Sequence, residues 1–421
     1  MQRRIGTVIR AYEEQGFHRT GTEVDRMSGD WLANEVRELS LEPAREEFSL
    51  SRVDPVTASL AVNARTIEGL PLFDGTFTSA AGIVGSLGSL NSEASIGLAE
   101  IPPNAAATGA LGDARRQNRH QAIVVVTRGP RPGFAPSNAD SFLRPFGPPV
   151  LQVASEAAPF LADCARQGAK ALLTAHAERV QAKAFNVITV VPGTNKGAAP
   201  LIVMTPRSGW WSCASERGGG LACWLEIMRA TRDAKPVRDV LFVASSGHEL
   251  GHLGLDTFIG RRPELVPAAK AWIHLGANIG AAQGPGNNLQ ASDDEIESTM
   301  AEAMTKAGLR IDRRHPRGAV PRGEAENVHH GGGRFISIIG SNDLFHNPGD
   351  RGADVVDLTS NVSPARLRRL RYRSRTPDEH ELAGPRRICA NRLSSMCLQR
   401  LPQWVICVDF GLFALRPPYP R

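Results

Sequence analysis

The amino-terminal segment of the chain combines helical patterns with one strand pattern. Thr20-Gly-Thr-Glu carries the polar residues of a helix start, and the sequence through Asp30-Trp-Leu-Ala-Asn-Glu-Val-Arg-Glu-Leu predicts that this helix continues. Glu46-Glu-Phe-Ser-Leu then predicts a strand. We therefore expect residues 1–62 to fold as helix, helix and strand, and to form the amino-terminal part of a larger domain.

Residues 63–185 have a different pattern, in which short β-like pieces are separated by Gly, Pro and Asn. Gln121-Ala-Ile-Val-Val-Val-Thr and Pro149-Val-Leu-Gln-Val are two of these pieces. Because the segments before and after it have longer elements, this stretch is predicted to be an inserted β-rich domain.

Long strands and helices return at Asn186-Val-Ile-Thr-Val-Val and continue to about residue 365. Pro200-Leu-Ile-Val-Met and the segment from Asp239 to Ala244 predict strands, and residues 220–230 predict a helix. The apolar residues of that helix share one face: Leu221, Trp224, Leu225 and Met228. The alternation predicts an α/β fold with a mixed central sheet and helices on both faces, a fold that binds its ligands at the carboxyl ends of strands.

Length and composition suit a globular protein of two domains, with 421 residues of which 42% are hydrophobic. No segment reaches the roughly 18 apolar residues of a membrane span, and the first residues lack the features of a secretory leader, so we expect a cytoplasmic protein. The cysteines lack paired metal-ligand spacing and are expected to be free thiols. They are Cys164, Cys213, Cys223, Cys389, Cys397 and Cys407.

Positive charge is concentrated at the carboxyl end of the chain. Residues 366–421 hold twelve arginines and four acidic residues, whereas the whole chain has a net charge of +6. The remainder is close to neutral, and the basic tail has no recognisable nucleic-acid module, so nucleic acid is not an expected partner. The tail is predicted either to be a disordered extension or to close the fold as a basic helix.

The most distinctive motif is His248-Glu-Leu-Gly-His252. In zincin peptidases such a motif lies within a long helix and places two imidazoles on a zinc ion. Here it follows the strand pattern that runs from Asp239 to Gly247, so we expect it at the carboxyl end of a strand. Leu255 also stands where the extended zincin pattern requires glycine. The strand-end placement is therefore favoured over the zincin one.

From Asn186 onward the chain resembles the di-zinc exopeptidase family that includes aminopeptidase Y, bacterial leucyl aminopeptidases and glutamate carboxypeptidase. The landmarks are Asn186-Val-Ile-Thr-Val-Val-Pro-Gly-Thr194, Gly247-His-Glu-Leu-Gly-His-Leu-Gly254 and Phe345-His-Asn-Pro-Gly-Asp350. The inserted stretch resembles the protease-associated domain of several members, with Gly147-Pro-Pro-Val-Leu-Gln-Val-Ala-Ser matching its final strands. The resemblance implies a zinc-exopeptidase-like domain over residues 186–365 with a protease-associated-like insertion over residues 63–185.

The resemblance also implies a reduced set of metal ligands. Arg207-Ser-Gly209 stands in place of the family's His-x-Asp, and the Asp of a later Asp-Met-x-Gly motif falls near Gly276 or Ala277. Glu216, Glu249 and His346 match the remaining ligands. They are expected to hold one divalent ion, zinc or manganese, with an open position for water.

Four further residues near these positions have more than one interpretation. His248 takes the place of the family's general base, a task that suits an imidazole because its pKa of about 6.5 lies near working pH. Two other interpretations are open, a metal ligand or a surface histidine at a turn. Arg207 would orient the substrate or stabilise developing negative charge, occupy the charge of the missing metal, or be a solvated arginine. His252 is expected to form a hydrogen bond beside the site, and His274 to be a core histidine, although each is an alternative ligand.

Two aromatic pairs are candidates for the substrate pocket. Trp210 and Trp211 follow a strand end and would either floor a pocket or pack in the core. His329 and His330 precede three glycines, a pattern that suits a mobile substrate loop. Adjacent residues of an extended chain point to opposite sides, so at most one of these histidines would face the site.

These residues imply a metal-dependent hydrolase of a peptide or small amide, aminopeptidase-like and with a mononuclear rather than a dinuclear site. The competing hypothesis is a non-catalytic binding or scaffold protein that has lost its metals. The transferrin receptor is an example of a protein that resembles the same family yet lacks peptidase activity. Loss of ligand positions favours the second hypothesis, whereas retention of Glu216, Glu249 and His346 favours the first. A small peptide or amide is the expected partner, with no membrane partner and with the oligomeric state open.

Overall fold

The computed structural model of the chain describes residues 2–352, so the predicted tail and the end of the 186–365 domain lie outside the described residues. The helices are α1 (Gln2–Glu13), α2 (Glu23–Glu38), α3 (Gly109–Gln117), α4 (Ala158–Arg166), α5 (Gly219–Ala234), α6 (Leu253–Gly260), α7 (Leu265–Ala268), α8 (Asp294–Lys306) and α9 (Ala325–His330). The strands are β1 (Ala44–Val62), β2 (Arg65–Pro71), β3 (Ile83–Ser89), β4 (Ile96–Ile101), β5 (Ala122–Thr127), β6 (Val150–Val153), β7 (Lys170–Val191), β8 (Leu201–Pro206), β9 (Val240–Ser245), β10 (Ala271–Leu275), β11 (Gly286–Ala291), β12 (Arg313–Arg314) and β13 (Phe335–Ser341).

The described strands form one hydrogen-bonded sheet in the order β1-β2-β6-β5-β4-β3-β7-β9-β8-β10-β13-β11-β12. Its centre is parallel, because β8 pairs in parallel with β9 and with β10, and β10 pairs in parallel with β13. The neighbouring strands β7 and β11 run antiparallel to this centre. The predicted mixed sheet is confirmed, and its parallel strands end at the same edge.

The central strands are buried on both faces, which explains their almost continuous apolar sequences. In β8 the side chains alternate, so that Leu201 and Val203 pack with α1, α2, α5 and α8 while Ile202 and Met204 pack with α6 and α9. The four apolar residues that define the predicted face of α5 are all buried. Helices therefore cover both faces of the sheet, as predicted.

The inserted part is a ring of strands that begins and ends on β7. β7 pairs with β1 on one side and with β3 on the other, and the ring continues through β2, β6, β5 and β4. A shared apolar cluster, which includes Phe73, Phe142, Trp210 and Leu250, packs this ring against the central domain. Residue 185 lies inside β7, so the division of the chain at 62 and 185 stays a proposal.

The described cysteines and helices bear on two predictions made from composition, the free thiols and the lack of a membrane span. Cys164, Cys213 and Cys223 are buried and free, as predicted, and the other three cysteines lie outside residues 2–352. Within the same range, no helix combines the length and the apolar character that a membrane span requires.

Candidate functional site

Most of the candidate residues lie where the parallel strands end. β8 leads into Arg207 and Ser208, and β9 leads through Ser246 and Gly247 into His248 and Glu249. Between β9 and α6 the chain forms only a single 3₁₀ turn, His248–Leu250. Gly247 permits this tight turn because its φ of +89° is in the left-handed region. The motif is thus at a strand end, as predicted, and not inside the long helix of a zincin.

A cavity of about 540 Å³ opens at this edge of the sheet. The central domain contributes His248, His252 and His274 among its lining residues, together with Asn278, Gln290, Glu326 and Asn342. The inserted ring contributes Asn104, Asn138 and Asp140. The backbone N–H of Ala139 also donates to the Glu249 carbonyl at 2.8 Å. The insertion therefore forms one wall of the candidate site.

Glu249 is buried, and its carboxylate accepts three hydrogen bonds. Its Oε1 accepts from the backbone N–H and from the hydroxyl of Thr20, each at 2.7 Å, and its Oε2 accepts from the Ser208 hydroxyl at 2.7 Å. Burial raises the pKa of Glu249, although these hydrogen bonds favour the ionised form. This carboxylate therefore ties the segment before α2 to the ends of β8 and β9.

Glu216 and His346 approach each other beside an arginine. Glu216 lies in a single π-helical turn, Ala214–Gly218, just before α5, and its backbone N–H donates to Asp350 Oδ2 at 2.9 Å. Its Oε1 is 3.6 Å from His346 Nε2 and 2.9 Å from Arg217 Nη2. The arginine contact is an ion pair whose angles do not meet hydrogen-bond geometry, so neither Glu216 Oε1 nor Arg217 Nη2 has a hydrogen-bond partner within the described part of the chain. All three side chains are at most 1% exposed.

These residues do not fit the predicted metal centre. Over residues 2–352, no group of three or more His, Cys, Asp or Glu side chains is arranged to hold a metal ion. Zinc requires three or four converging ligands. Glu216 and His346 do converge, but Glu249 directs both oxygens to Thr20 and Ser208, and a guanidinium is paired with the Glu216 carboxylate.

Arg207 has a structural role, which corrects its predicted role in substrate orientation or charge stabilisation. Its guanidinium is 0% exposed, so it is neither solvated nor accessible from the cavity. Nη1 donates to the backbone carbonyl and to Oδ1 of Asp25 at 2.9 and 2.8 Å, and Nη2 donates to the Phe185 carbonyl at 2.6 Å. These bonds connect α2, β7 and the end of β8.

The two tryptophans do not line the cavity, but the indole N–H of each donates to another residue of the candidate site. Trp210 is 2% exposed, and its indole N–H donates to the side chain of Asn138 at 3.1 Å. The Trp211 indole N–H donates to the His346 carbonyl at 2.8 Å. Trp210 therefore packs in the core, which was the alternative interpretation of the pair.

His329 and His330 end the helix α9, whereas an extended loop was predicted. Neither is among the residues that line the cavity. His330 is exposed, with its Nε2 3.4 Å from Glu326 Oε1. The stretch becomes helical because Ala325 and Val328 pack into the core beneath the central sheet, a tertiary contact that the adjacent glycines do not reveal.

His248 is buried and faces a carboxyl group that no motif predicted. Its Nδ1 lies 3.4 Å from Glu324 Oε1, and the Ser245 hydroxyl donates to the same carboxyl group at 2.7 Å. Burial lowers the pKa of His248 well below its usual range, and the nearby charge of Arg217 lowers it further. The alternative of a surface histidine is therefore wrong, while the general-base and ligand roles of His248 stay proposals.

The other two histidines of the cavity have defined partners. His252 Nδ1 is 2.8 Å from Asn327 Oδ1, which is the kind of hydrogen bond predicted for it. His274 is fully buried on β10, with its Nδ1 2.8 Å from the Ser337 hydroxyl. Its Nε2 has no hydrogen-bond partner although the ring borders the cavity. His274 is thus both a core histidine and part of the cavity wall.

Glu324 should make stability depend on pH. Burial raises the pKa of Glu324 to about 8, opposed by the Ser245 hydrogen bond and by the charge of Arg217, while Asp256 and Glu249 raise it further. The folded state therefore keeps a proton that the unfolded state releases, and the free energy of unfolding falls as pH rises from about 4.5 to about 8.

We expect Glu324→Gln to remove this pH dependence of the free energy of unfolding, whose slope is at most about 1.4 kcal/mol per pH unit. Urea unfolding of both proteins between about pH 5 and about pH 8 measures it, because titratable groups that do not contact Glu324 contribute equally to both curves. Parallel pH profiles for the two proteins would contradict the raised pKa.

No family model and no curated protein sequence matches this chain. Solved structures do match it. A zinc aminopeptidase from Bacillus subtilis superposes with a TM-score of 0.69 at 15% identity, covering 95% of each chain. An aminopeptidase from an Aneurinibacillus strain gives 0.67 at 12% identity, covering 100% of this chain and 97% of that one. A peptidase precursor from Shewanella amazonensis gives 0.70 at 14% identity, covering 99% and 95%.

These similarities are similarities of fold. Together with the mixed sheet and its two helical layers, they confirm the predicted zinc-exopeptidase-like architecture. Three points stay predictions: the relationship to particular members of the family, the protease-associated nature of the insertion, and the chemistry of the cleft.

Proposed function

We propose that this chain uses the cleft of a zinc-aminopeptidase fold to bind a small peptide or amide, without a two-metal hydrolytic centre. One observation carries this proposal. The buried guanidinium of Arg217 lies 2.9 Å from Glu216 Oε1, among the residues predicted to hold the metal. Two metal-ligand positions implied by the family resemblance are also replaced, by Arg207 and near Gly276. A binding protein with an aminopeptidase fold accounts for both the retained cleft and the altered ligand set.

The lining of the cavity carries both signs of charge, with Arg313 and Arg322 as well as two carboxylates, and the acidic part suits a ligand with an amino group. Its volume of about 540 Å³ lies within the usual range for small-molecule sites. Asp140 and Glu326 both border it. Desolvation by the surrounding protein raises the pKa of Asp140 to about 6, and the charges of Asp74 and Glu326 contribute to this increase. Asp140 is itself exposed at the rim, where solvent screens its repulsion with Glu326 in part. An ammonium group would relieve the repulsion between these carboxylates.

Asp140→Asn is therefore expected to weaken the binding of free dipeptides and tripeptides by about threefold to tenfold. The affinity of the wild-type protein should also decrease as pH falls through about 6, because protonation removes the carboxylate charge that attracts the ammonium group. Isothermal titration calorimetry of both proteins at several pH values measures both effects.

Amino-terminally acetylated peptides and Asp163→Asn serve as controls. Acetylation removes the ammonium charge, so it should abolish the difference between wild type and Asp140→Asn. Asp163 is an exposed residue of α4 that does not line the cavity, so its replacement should leave affinity unchanged. Equal affinity of free and acetylated peptides would refute the proposed ammonium site.

A metal-dependent hydrolase of a peptide or small amide, with one zinc or manganese ion, is the second candidate function. Its supporting observation is that Glu216 Oε1 and His346 Nε2 are 3.6 Å apart and that neither has a hydrogen-bond partner among the residues that the structure describes. A stoichiometric metal in the purified protein, lost together with amide cleavage in His346→Ala, would favour this candidate over a binding function.

A further inference from the structure

Among residues 2–352, three buried polar atoms without hydrogen-bond partners lie close together. They are Glu216 Oε1, Arg217 Nη2 and His346 Nε2. Oε1 is 2.9 Å from Nη2 and 3.6 Å from Nε2. A buried polar group without a partner costs free energy, and such groups are few in folded proteins. A cluster of three therefore requires a physical explanation.

The protonation of His346 is set by its other ring nitrogen. Nδ1 lies 2.7 Å from the carbonyl oxygen of Pro136, which can only accept a hydrogen bond, so Nδ1 carries the proton. Nε2 of the neutral ring then has a lone pair directed toward Glu216. Two acceptors 3.6 Å apart repel each other unless a cation or a donor compensates them.

Arg217 supplies that cation and is held firmly in place. Its Nε donates to the Ser208 carbonyl at 2.7 Å, and its Nη1 donates to the Glu216 carbonyl at 3.3 Å. The side chain belongs to the same π-helical turn as Glu216, so the carboxylate and the guanidinium are positioned together. Its charge also reaches the Glu249 carboxylate.

We propose that the Arg217 guanidinium is a resident cation that stands in for a metal ion between Glu216 and His346, and that its removal turns these two residues into ligands of a divalent metal. The proposal rests on the proposed function, because a protein that already held a metal here would have no need of the arginine. The guanidinium and a metal ion compete for the same carboxylate oxygen, so only one of them can occupy the cluster.

Cobalt(II) titration of the full chain tests this proposal, since the visible absorption of cobalt reports its coordination independently of any enzymatic activity. Arg217→Ala is expected to bind cobalt through Glu216 and His346, with water completing the coordination, at least about tenfold more tightly than the wild type. Two protein ligands make a weaker site than the three or four of a zinc centre, so the gain over the wild type is the quantity measured. Arg217→Gln is a second neutral variant that can still donate to the Ser208 carbonyl, so it preserves the turn if the alanine variant does not fold.

Two controls isolate the role of the charge. Arg217→Lys keeps a cation and should gain no metal, whereas His346→Ala added to Arg217→Ala should abolish the gained binding. A folded neutral variant that binds no more cobalt than wild type would overturn the inference, as would equal binding by Arg217→Lys. Peptide binding by the wild type is measured separately by calorimetry, so this failure would leave the proposed function standing. Stoichiometric metal and peptide cleavage in the wild type would overturn both.

Discussion

Arg207→Met is expected to lower the free energy of unfolding by about 3–5 kcal/mol. The guanidinium and the Asp25 carboxylate are 2.8 Å apart and are 0% and 1% exposed. Removing the arginine leaves the carboxylate buried without its cation, and the Phe185 carbonyl loses a donor at 2.6 Å. Chemical denaturation of both proteins measures the loss.

Two comparisons show whether the loss arises from the buried pair. Adding Asp25→Asn to Arg207→Met should recover part of the stability, because an uncharged amide is less costly to bury than a lone carboxylate. Lys183→Met breaks an ion pair with Glu47 whose side chains are 71% and 58% exposed, and we expect it to cost less than about 1 kcal/mol. If Arg207→Met cost no more than this surface control, the structural role of Arg207 would be refuted.

Glu249→Ala should be the second large destabilisation, at about 2–4 kcal/mol. The substitution removes the acceptor for the Thr20 N–H, the Thr20 hydroxyl and the Ser208 hydroxyl, all of which are buried. The Ser208 hydroxyl also accepts from the backbone N–H of Gly247 at 2.8 Å, so the turn that carries His248 should loosen as well.

The metal dependence of this effect separates the two roles of Glu249. If its carboxylate acts through hydrogen bonds, the stability difference between wild type and variant should be the same with zinc and with a chelator. Thermal denaturation under both conditions measures it. A wild type stabilised by zinc, with a variant indifferent to it, would instead identify Glu249 as a ligand.

The local pattern predicted the elements of the fold well. Thr22 caps α2 as the polar helix start implied, and the β-branched runs from residue 201 and from residue 240 form β8 and β9. The strand pattern that closes with Ser-Ser-Gly247 placed His248 and Glu249 at a strand end and not in a helix. These predictions succeeded because periodicity and turn residues act within a few positions of the chain.

The chemistry of the site depends on contacts between distant segments, which no local pattern contains. Arg207 and Asp25 are 182 positions apart, and Glu249 and Thr20 are 229 apart. Glu324 and Asp140 belong to no recognisable motif, so the sequence did not predict that they lie at the site. Arg217 had one weak signal, since a cation directly followed the candidate ligand Glu216. Its side-chain direction depends on the π-helical turn, which the sequence Glu-Arg-Gly-Gly-Gly did not predict.

Incubation of the purified protein with free tripeptides in the presence of zinc or manganese, followed by mass spectrometry, tests the central claim most directly. The proposed function predicts that the peptides bind and are recovered intact. Release of the amino-terminal residue, stopped by a chelator and by His346→Ala, would contradict it and would establish a metal-dependent hydrolase in its place.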